Sequence, residues 1–303
     1  MSTPLRHIRV LSDGRPGHEN QSVGLAEALC RRTGSTYELV RLGTDGGFFA
    51  RLRRAKAPAV EGIGPDLIIA AGHSTHLPLL AAARHFCAKS VVIMKPTLPA
   101  WLFDLCLVPR HDYKHPRDTG RVMTTRGALN RIPEDAPVKT NTGVIMIGGP
   151  SKHHGWDAGP LPAMIAAVVR SRPELAWTIG DSRRTPAGFL EKLDATEATI
   201  VPHQQTRPGW LPAQLAAARE VWVTEDSVSM VFEALTARAR VGVLPMPVKN
   251  AGGRPLKALS DLVADGYVQT YEQWTKRPVT DVNAPQLHET ARCADVVLAR
   301  FFQ

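Results

Sequence analysis

Short apolar segments alternate with helix-like segments along almost the whole chain, and this alternation constrains the fold more than any other feature. The apolar segments are continuous runs, which is typical of strands buried on both faces. Parallel strands need crossover connections, and helices normally supply them. The sequence therefore predicts an α/β protein with parallel sheets covered by helices. The predicted strands are residues 7–11, 37–42, 66–71, 90–94, 104–108, 121–125, 143–147, 176–179, 199–201, 220–224 and 241–244. The predicted helices are 77–87, 163–171, 188–193, 212–218, 228–238 and 285–301, with another that starts near residue 22.

A polar stretch that contains Pro133, Pro137 and Lys139 divides this pattern into two similar halves. We predict two Rossmann-like domains, residues 1–141 and 142–303, whose sheets face each other across a cleft, with the last helix packing back on the first domain. Parallel sheets bind ligands beyond the carboxyl ends of their strands. The loops at those ends are therefore the most informative residues.

Positive charge is concentrated in the first half of the chain. Lys and Arg number 37 and Asp and Glu 28, for a net charge of +9. Residues 1–141 carry 20 basic and 12 acidic side chains, and residues 142–303 carry 17 and 16. A basic half attracts nucleic acid, an anionic membrane surface or an acidic substrate. With 6% aromatic residues and no recognisable module, we do not expect nucleic acid as the partner.

The cysteines and the apolar segments bear on the cellular compartment. Cys30, Cys87, Cys106 and Cys293 lie far apart, so the sequence encodes neither a zinc knuckle nor a disulfide framework. No stretch reaches the ~18 apolar residues of a membrane span, and residues 1–10 lack the apolar core of a signal peptide. We expect a protein that is made and kept in the cytoplasm.

Residues 221–235 predict a strand followed by a helix with a polar face. Ser227 and Ser229 lie near the amino end of this helix, where free N–H groups stabilise an anion. Glu233 follows one turn later, where its carboxylate can accept hydrogen bonds from sugar hydroxyls. This order suits a nucleoside diphosphate. The alternative is an N-cap by Asp226 or Ser227 followed by an ordinary solvated glutamate.

Two further strand-end loops in the second half suit a diphosphate. Gly148 and Gly149 allow close backbone approach to phosphate, and Ser151 and Lys152 can donate to it. The loop at residues 180–186 contains Arg183 and Arg184, whose guanidinium groups bind two oxygens at once. The alternatives are an ordinary tight turn at 148–150 and surface charge for one of the two arginines.

The first half carries a turn-rich loop at residues 12–20 that matches neither a dinucleotide-binding motif nor a P-loop. His18 lies near the amino end of a helix, which would keep its imidazole neutral and able to act as a general base. Asp13 would orient His18 or act itself. The alternative is a turn with His18 on the surface.

The sequence predicts no metal site. The histidines at 73, 76, 111 and 115 lack a third ligand, and the D-x-D motif is absent. We expect His73 and His76 to line the cleft instead.

Residues 48–56 combine aromatic and basic side chains. Phe48 and Phe49 could enter the headgroup boundary of a membrane while Arg51, Arg53, Arg54 and Lys56 contact anionic lipid. The alternative is a helix that packs on the core with a solvated basic face.

Four motifs together resemble the mitochondrial-fission family of plant proteins and its bacterial relatives. They are residues 12–21 (SDGRPGHENQ), 148–157 (GGPSKHHGWD), 182–186 (SRRTP) and 223–231 (VTEDSVSMV). The resemblance spans nearly the whole chain. It implies a glycosyltransferase with two Rossmann-like domains, known as GT-B.

Residues 14–18 and 148–151 also resemble, more loosely, the glycine-rich loops of the lipid II-forming N-acetylglucosaminyltransferase. This resemblance implies that Glu233 binds the donor ribose, that the diphosphate lies on Gly149, Ser151, Ser227 and Ser229, and that His18 lies on the acceptor side. We accordingly place Gly14, Gly17, Asn20, His73 and His76 on the acceptor side. The chain departs from that pattern in two places. Gly-Arg-Pro at 14–16 replaces a more open glycine run, and Thr-Ala-Arg-Ala at 236–239 replaces the small turn that usually follows the helix.

The expected function is transfer of a sugar from a nucleotide-diphosphate donor to a cell-envelope lipid or saccharide, with neither metal nor other cofactor. The second half would hold the donor. We expect the protein in the cytoplasm, with a contact to the inner membrane face as a further expectation. Two alternatives remain open: a nucleotide-sugar epimerase on the same fold, and a non-enzymatic membrane or recruitment protein.

Overall fold

The structure is a computed structural model that describes residues 4–43, 47–59, 62, 64–113, 115, 117–134, 139–193, 197–207, 209–250, 252–277 and 287–302. The chain forms two compact units. Unit 1 contains the chain up to Arg131 together with the segment from His288 onward, and unit 2 contains Ile132–Leu287.

Unit 1 is built from alternating strands and helices. Its elements in chain order are β1 (His7–Ser12), α1 (Pro16–Thr33), β2 (Thr36–Arg41), α2 (Gly47–Ala55), β3 (Leu67–Ala71), α3 (His76–Phe86), β4 (Lys89–Ile93), β5 (Leu105–Pro109) and β6 (Val122–Thr125). The strands form one parallel sheet in the order β2-β1-β3-β4-β5-β6.

Successive residues of the central strands pack on opposite faces of this sheet. Leu67 and Ile69 belong to the core that contains buried residues of α1, whereas Ile68 and Ala70 belong to the core that contains Leu79 of α3. Side chains alternate between the two faces of a strand, so a strand buried on both faces must be apolar at every position. This explains the continuous apolar runs in the sequence.

Unit 2 repeats the architecture. Its elements are β7 (Thr142–Met146), α4 (Leu161–Ser171), β8 (Ala176–Gly180), β9 (Ala198–Val201), α5 (Trp210–Ala217), β10 (Glu220–Thr224), α6 (Val228–Thr236), β11 (Arg240–Leu244), α7 (Arg254–Ala264), β12 (Val268–Thr270) and α8 (Tyr271–Lys276). The parallel sheet has the order β12-β11-β10-β7-β8-β9. Strand β7 therefore lies between β10 and β8, and the loops after these three strands emerge at one edge.

The last helix, α9 (Glu289–Phe301), belongs to unit 1. Cys293, Ala294 and Val297 are fully buried in the same core as Leu25 and Leu29 of α1. Burial raises the pKa of the Cys293 thiol because the thiolate would lose its hydration. Unit 1 is therefore completed by a helix from the other end of the sequence.

The boundary between the units lies before the polar stretch ends. The Lys139 ammonium donates to the main-chain oxygens of Leu215 and Ala216 at 3.1 and 3.0 Å, and the Thr140 N–H donates to that of Ala217 at 2.9 Å. Burial, with a smaller contribution from Arg238, lowers the pKa of Lys139 to about 8. Residues 139–141 thus belong to unit 2, whereas the sequence-based boundary placed them in the first domain.

Several elements differ from the sequence-based prediction. Helix α1 begins at Pro16 rather than near residue 22, because proline is well suited to the first position of a helix. Helix α6 ends at Thr236 rather than at 238, since Arg238 has a left-handed φ of 61°. Residues 190–192 form a single 3-10 turn in place of the helix predicted at 188–193. Elements α7, β12 and α8 were not predicted, and β12 is only three residues long.

Candidate functional site

The loops that follow β7 and β10 are tied together by hydrogen bonds. The N–H of Gly148 donates to Oγ1 of Thr224 at 2.7 Å, and the N–H of Gly149 donates to Oδ2 of Asp226 at 2.9 Å. Neighbouring parallel strands end side by side, so these contacts follow from the sheet order. The end of β10 therefore holds the glycine loop, a role that the sequence analysis assigned to neither Thr224 nor Asp226.

Arg184 brings the loop after β8 to the same place. Its Nη2 lies 2.7 Å from Oδ2 of Asp226, and its Nη1 donates to the main-chain oxygen of Gly149 at 2.9 Å. The Asp226 side chain is 0% exposed, whereas that of Arg184 is 40% exposed. The Thr185 hydroxyl adds a hydrogen bond to the main-chain oxygen of Gly148. Three predicted donor loops thus converge within unit 2.

Only glycine fits at positions 148 and 149. A Cβ atom on Gly148 would lie 2.2 Å from Oδ2 of Asp226, and one on Gly149 would lie 2.1 Å from the main-chain oxygen of Arg184. Both distances are well inside van der Waals contact, where repulsion is steep. The two glycines therefore make room for the other loops of the cluster.

Helix α6 begins two residues after Asp226 and keeps its amino end without a side-chain cap. The Ser227 side chain makes no capping hydrogen bond, and the Asp226 carboxylate is directed to Gly149 and Arg184. Ser227 therefore occupies the N-cap position that the alternative interpretation gave to Asp226 or Ser227, but it lacks the side-chain hydrogen bond of such a cap. Ser227 is buried, Ser229 is exposed and Glu233 is half-buried. The partial positive charge of the helix end lies next to the convergent loops.

The rest of the glycine loop is held by its own turn and by the loop after β11. Oγ of Ser151 accepts hydrogen bonds from the N–H groups of His153 and His154, at 3.2 and 3.0 Å. His154 is 1% exposed and pairs with Val248. Burial lowers the pKa of His154, although the Asp226 charge opposes the shift. Lys152 is exposed.

The two predicted arginines have different environments. Arg183 is exposed, whereas Arg184 is held by its contacts with Asp226 and with the main-chain oxygen of Gly149.

Asp181, at the end of β8, pairs with His203. It accepts hydrogen bonds from both the N–H and the Nδ1 of this histidine, the latter at 3.0 Å. Asp181 and His203 follow different strands, so no local sequence pattern predicts that they pair. The one signal in the sequence is that each residue lies at the end of a predicted strand.

Unit 1 contains a second aspartate–histidine pair. Nδ1 of His18 lies 2.9 Å from Oδ2 of Asp13, and the Oγ of Ser74 donates to the same oxygen at 3.3 Å. The side chains of His18 and Asp13 are 16% and 8% exposed. Because α1 starts at Pro16, His18 lies in its first turn. The contact with Asp13 holds the imidazole through Nδ1, and Nε2 is the other ring nitrogen.

Gly72 positions this pair. Its φ is 92°, and a Cβ atom there would lie 2.5 Å from Nδ1 of His18 and 3.0 Å from Oδ2 of Asp13. The loop after β3 thus approaches the pair closely. A side chain at position 72 would displace the imidazole, which makes Gly72 a positioning residue that the sequence analysis did not identify.

The other residues predicted on the acceptor side differ in their exposure to solvent. Gly14 and Gly17 are exposed, Asn20 is half-buried and His73 is exposed. His76 needs correction as a lining residue, since it is 2% exposed and packs edge-to-face on Phe103, with ring centroids 5.6 Å apart. Burial, with a smaller effect of His73, lowers the pKa of His76. A neutral histidine within the core contributes packing.

Helix α2 contains the aromatic and basic segment. Phe49 is 82% exposed and Phe48 is 47% exposed, with ring centroids 5.7 Å apart. Arg51 and Arg54 donate to the main-chain oxygens of Gly43 and Leu42. Ala55 is buried and Leu52 half-buried. The two rings therefore lie on the surface, whereas Ala55 lies in the core and Arg53 and Lys56 are exposed, as the alternative interpretation of a core-packing helix with a solvated basic face expects.

The described residues contain neither a cluster of metal ligands nor a membrane-spanning helix. Within those ranges, no group of three or more His, Cys, Asp or Glu side chains is arranged to hold a metal ion. Among the same residues, no helix combines the length and the apolar character that crossing a bilayer requires.

Two units, each with a six-stranded parallel sheet, define a GT-B-type α/β protein. Solved structures share this fold. The crystal structure of Acinetobacter baumannii MurG matches with a TM-score of 0.53 at 15% identity, covering 97% of this chain and 99% of that one. The glycotransferase of kitacinnamycin matches with a TM-score of 0.55 at 18% identity, covering 98% and 99%. The UDP-GlcNAc 2-epimerase from Neisseria meningitidis matches with a TM-score of 0.52 at 14% identity, covering 98% and 100%.

The sequence itself identifies the family. The family described as mitochondrial fission ELM1 matches residues 16–301, so the chain belongs to this family. A relative is the uncharacterized protein RP120 of Rickettsia prowazekii (strain Madrid E), which is 24% identical over an alignment that covers 76% of this chain and 81% of that protein. Both the family and the GT-B fold that the four motifs implied are confirmed.

Proposed function

We propose that this protein is a glycosyltransferase that moves a sugar from a nucleotide-diphosphate donor held by unit 2 to an acceptor hydroxyl. The observation that carries the proposal is the convergence of Gly149, Arg184 and the amino end of α6 at one edge of the second sheet. Main-chain N–H groups, a guanidinium group and a helix amino end are the groups that proteins use to bind phosphate. Similarity of fold to glycosyltransferases and epimerases agrees with this chemistry.

The donor would be bound in two parts. The diphosphate would lie on the loop of Gly148 and Gly149, near Ser151, Lys152 and the exposed Arg183. Ser227 and Ser229 at the start of α6 would complete its surroundings. Glu233, one turn further along α6, would accept hydrogen bonds from the ribose hydroxyls. The positive groups would stabilise the charge that develops on the leaving diphosphate, so no metal ion or other cofactor is required.

Unit 1 would provide the base. Asp13 accepts the hydrogen bond from Nδ1 of His18, so Nε2 is the atom that can take a proton from the acceptor hydroxyl. The hydroxyl oxygen then attacks the anomeric carbon of the donor, and the nucleoside diphosphate leaves with the electrons of the broken bond. A single displacement of this kind inverts the configuration at the anomeric carbon.

The ribose contact gives a direct test of the donor site. We expect Glu233→Ala to weaken the binding of a nucleoside diphosphate by about tenfold or more, because a charge-assisted hydrogen bond is lost. Calorimetric titration with UDP, GDP, ADP and dTDP measures this loss of affinity and also identifies the nucleobase of the donor. Glu191→Ala, on an exposed turn of the same unit, is the matched control and should leave affinity unchanged.

Two results would contradict parts of the proposal. Equal affinity of Glu233→Ala and the unaltered protein would contradict the ribose contact. If NMR of sugar nucleotides incubated with the protein and no acceptor shows an epimer, the protein is the epimerase of the alternative hypothesis instead.

The acceptor is proposed to be a cell-envelope lipid or saccharide, reached from the inner membrane face. Exposed Phe48 and Phe49 on α2 support this, because aromatic rings beside the exposed basic residues Arg53 and Lys56 fit the headgroup region of an anionic bilayer. We expect the double variant Phe48→Ser, Phe49→Ser to lose most of its co-sedimentation with phosphatidylglycerol vesicles.

The control for the vesicle experiment lies on the neighbouring helix. Leu77→Ser removes an apolar side chain that is 49% exposed at the start of α3, and binding should be retained. Equal sedimentation of the double variant and the unaltered protein would exclude α2 as the membrane contact.

A further inference from the structure

The loop cluster of unit 2, which consists of Gly148, Gly149, Arg184 and the amino end of α6, already holds an anionic group, and that group is a side chain of the protein itself. Oδ2 of Asp226 accepts a hydrogen bond from the N–H of Gly149 at 2.9 Å and lies 2.7 Å from Nη2 of Arg184. The carboxylate precedes the uncapped amino end of α6. Asp226 thus uses the same kinds of group that would bind a phosphate oxygen.

The surroundings of Asp226 leave Arg184 as its one described cationic partner. Oδ1 of Asp226 is buried and has no hydrogen-bond partner among the described residues, and the same holds for Nε2 of the buried His154. Burial lowers the pKa of His154, so this imidazole favours its neutral form. A fully buried carboxylate needs a counter-charge, and Arg184 supplies it.

Arg184 is also the accessible member of the pair. Its side chain is 40% exposed, whereas that of Asp226 is 0% exposed. A ligand that arrives from solvent therefore meets the guanidinium group before the carboxylate. Arginine has five N–H donors, so it can exchange one anionic partner for another while it keeps its hydrogen bond to the main-chain oxygen of Gly149.

We propose that Asp226 is a built-in competitor for the donor diphosphate, which holds Arg184 and the glycine loop in place until the diphosphate takes over Arg184. This inference rests on the proposed function of unit 2. The carboxylate keeps the loops assembled in the free protein, and its negative charge lowers the affinity of the cluster for diphosphate. A diphosphate product is correspondingly easier to release, which makes Asp226 an affinity-setting residue.

The test is the isosteric change Asp226→Asn. The asparagine oxygen can replace Oδ2 as acceptor for Gly149, and its NH₂ group takes the place of Oδ1, where no hydrogen bond is lost. We expect this variant to bind UDP and inorganic pyrophosphate about five- to tenfold more tightly in calorimetric titrations at low salt, because a nearby negative charge is removed. The gain should shrink in 0.5 M salt.

Two variants separate this mechanism from a general charge effect. Glu225→Gln also removes an acidic group, one residue earlier, but Glu225 bonds to the N–H of Met246 rather than to Arg184, so affinity should change less than twofold. The double variant Asp226→Asn, Arg184→Gln should lose the gain, because the guanidinium group that the diphosphate would recruit is absent.

The outcomes distinguish this inference from the proposed function. If the unaltered protein binds UDP and a folded Asp226→Asn variant binds it equally well or more weakly, this inference alone is overturned. If neither protein binds pyrophosphate or any of UDP, GDP, ADP and dTDP, both proposals are overturned. A crystal structure of the unaltered protein with pyrophosphate is a further test if the variant does not fold: Arg184 must contact phosphate, and retention of its contact with Asp226 alone would contradict the exchange.

Discussion

Replacing His18 with asparagine should lower the rate of sugar transfer by about 10²- to 10⁴-fold, the range over which general bases contribute. Asp13 holds the imidazole through Nδ1 at 2.9 Å, so Nε2 is the atom lost for proton transfer. Donor affinity should be unchanged, because we propose that the donor binds to unit 2. The measurements are the turnover rate with the donor that the calorimetric titrations identify and the affinity for its nucleoside diphosphate.

The control for this experiment is His85→Asn, which changes an exposed histidine of α3 in the same unit. It should transfer sugar at the rate of the unaltered protein. If His18→Asn retains more than about a tenth of the rate, the base is another group, and Asp13→Asn becomes the next variant to measure.

The change Gly148→Ala should reduce the affinity for a nucleoside diphosphate by about 100-fold or more. The new Cβ atom would lie 2.2 Å from Oδ2 of Asp226, so either the loop or the carboxylate must move and the contacts of Gly149 and Arg184 must change with it. Overpacking and the disturbed ion pair should also lower the free energy of unfolding of unit 2 by about 1–3 kcal/mol. Calorimetric titration and urea denaturation measure the two effects.

Gly252→Ala provides the comparison within the same unit. A Cβ atom there would lie 3.7 Å from Oδ1 of Asn250, an ordinary contact, so both affinity and stability should remain close to those of the unaltered protein. A Gly148→Ala variant that binds diphosphate normally would show that the convergent loops of unit 2 are not the donor site.

The two aspartate–histidine pairs illustrate how far local sequence can locate a site. Asp13 and His18 are five residues apart, and the loop between strand and helix brings them together, so a pairing could be anticipated. Asp181 and His203 are 22 residues apart and follow two different strands. Their contact depends on β8 and β9 being neighbours in the sheet, which no local pattern specifies.

The sequence by itself determined the α/β class, most strands and the strand-end positions of the candidate residues, because the periodicity of apolar side chains is a local property. It also determined the family through four long motifs. The tertiary structure alone decided that His76 lies in the core, that Asp181 contacts His203, and that Arg184 contacts Asp226. These contacts depend on which strands are neighbours and on which space remains between packed elements, and both are properties of the assembled fold rather than of any segment.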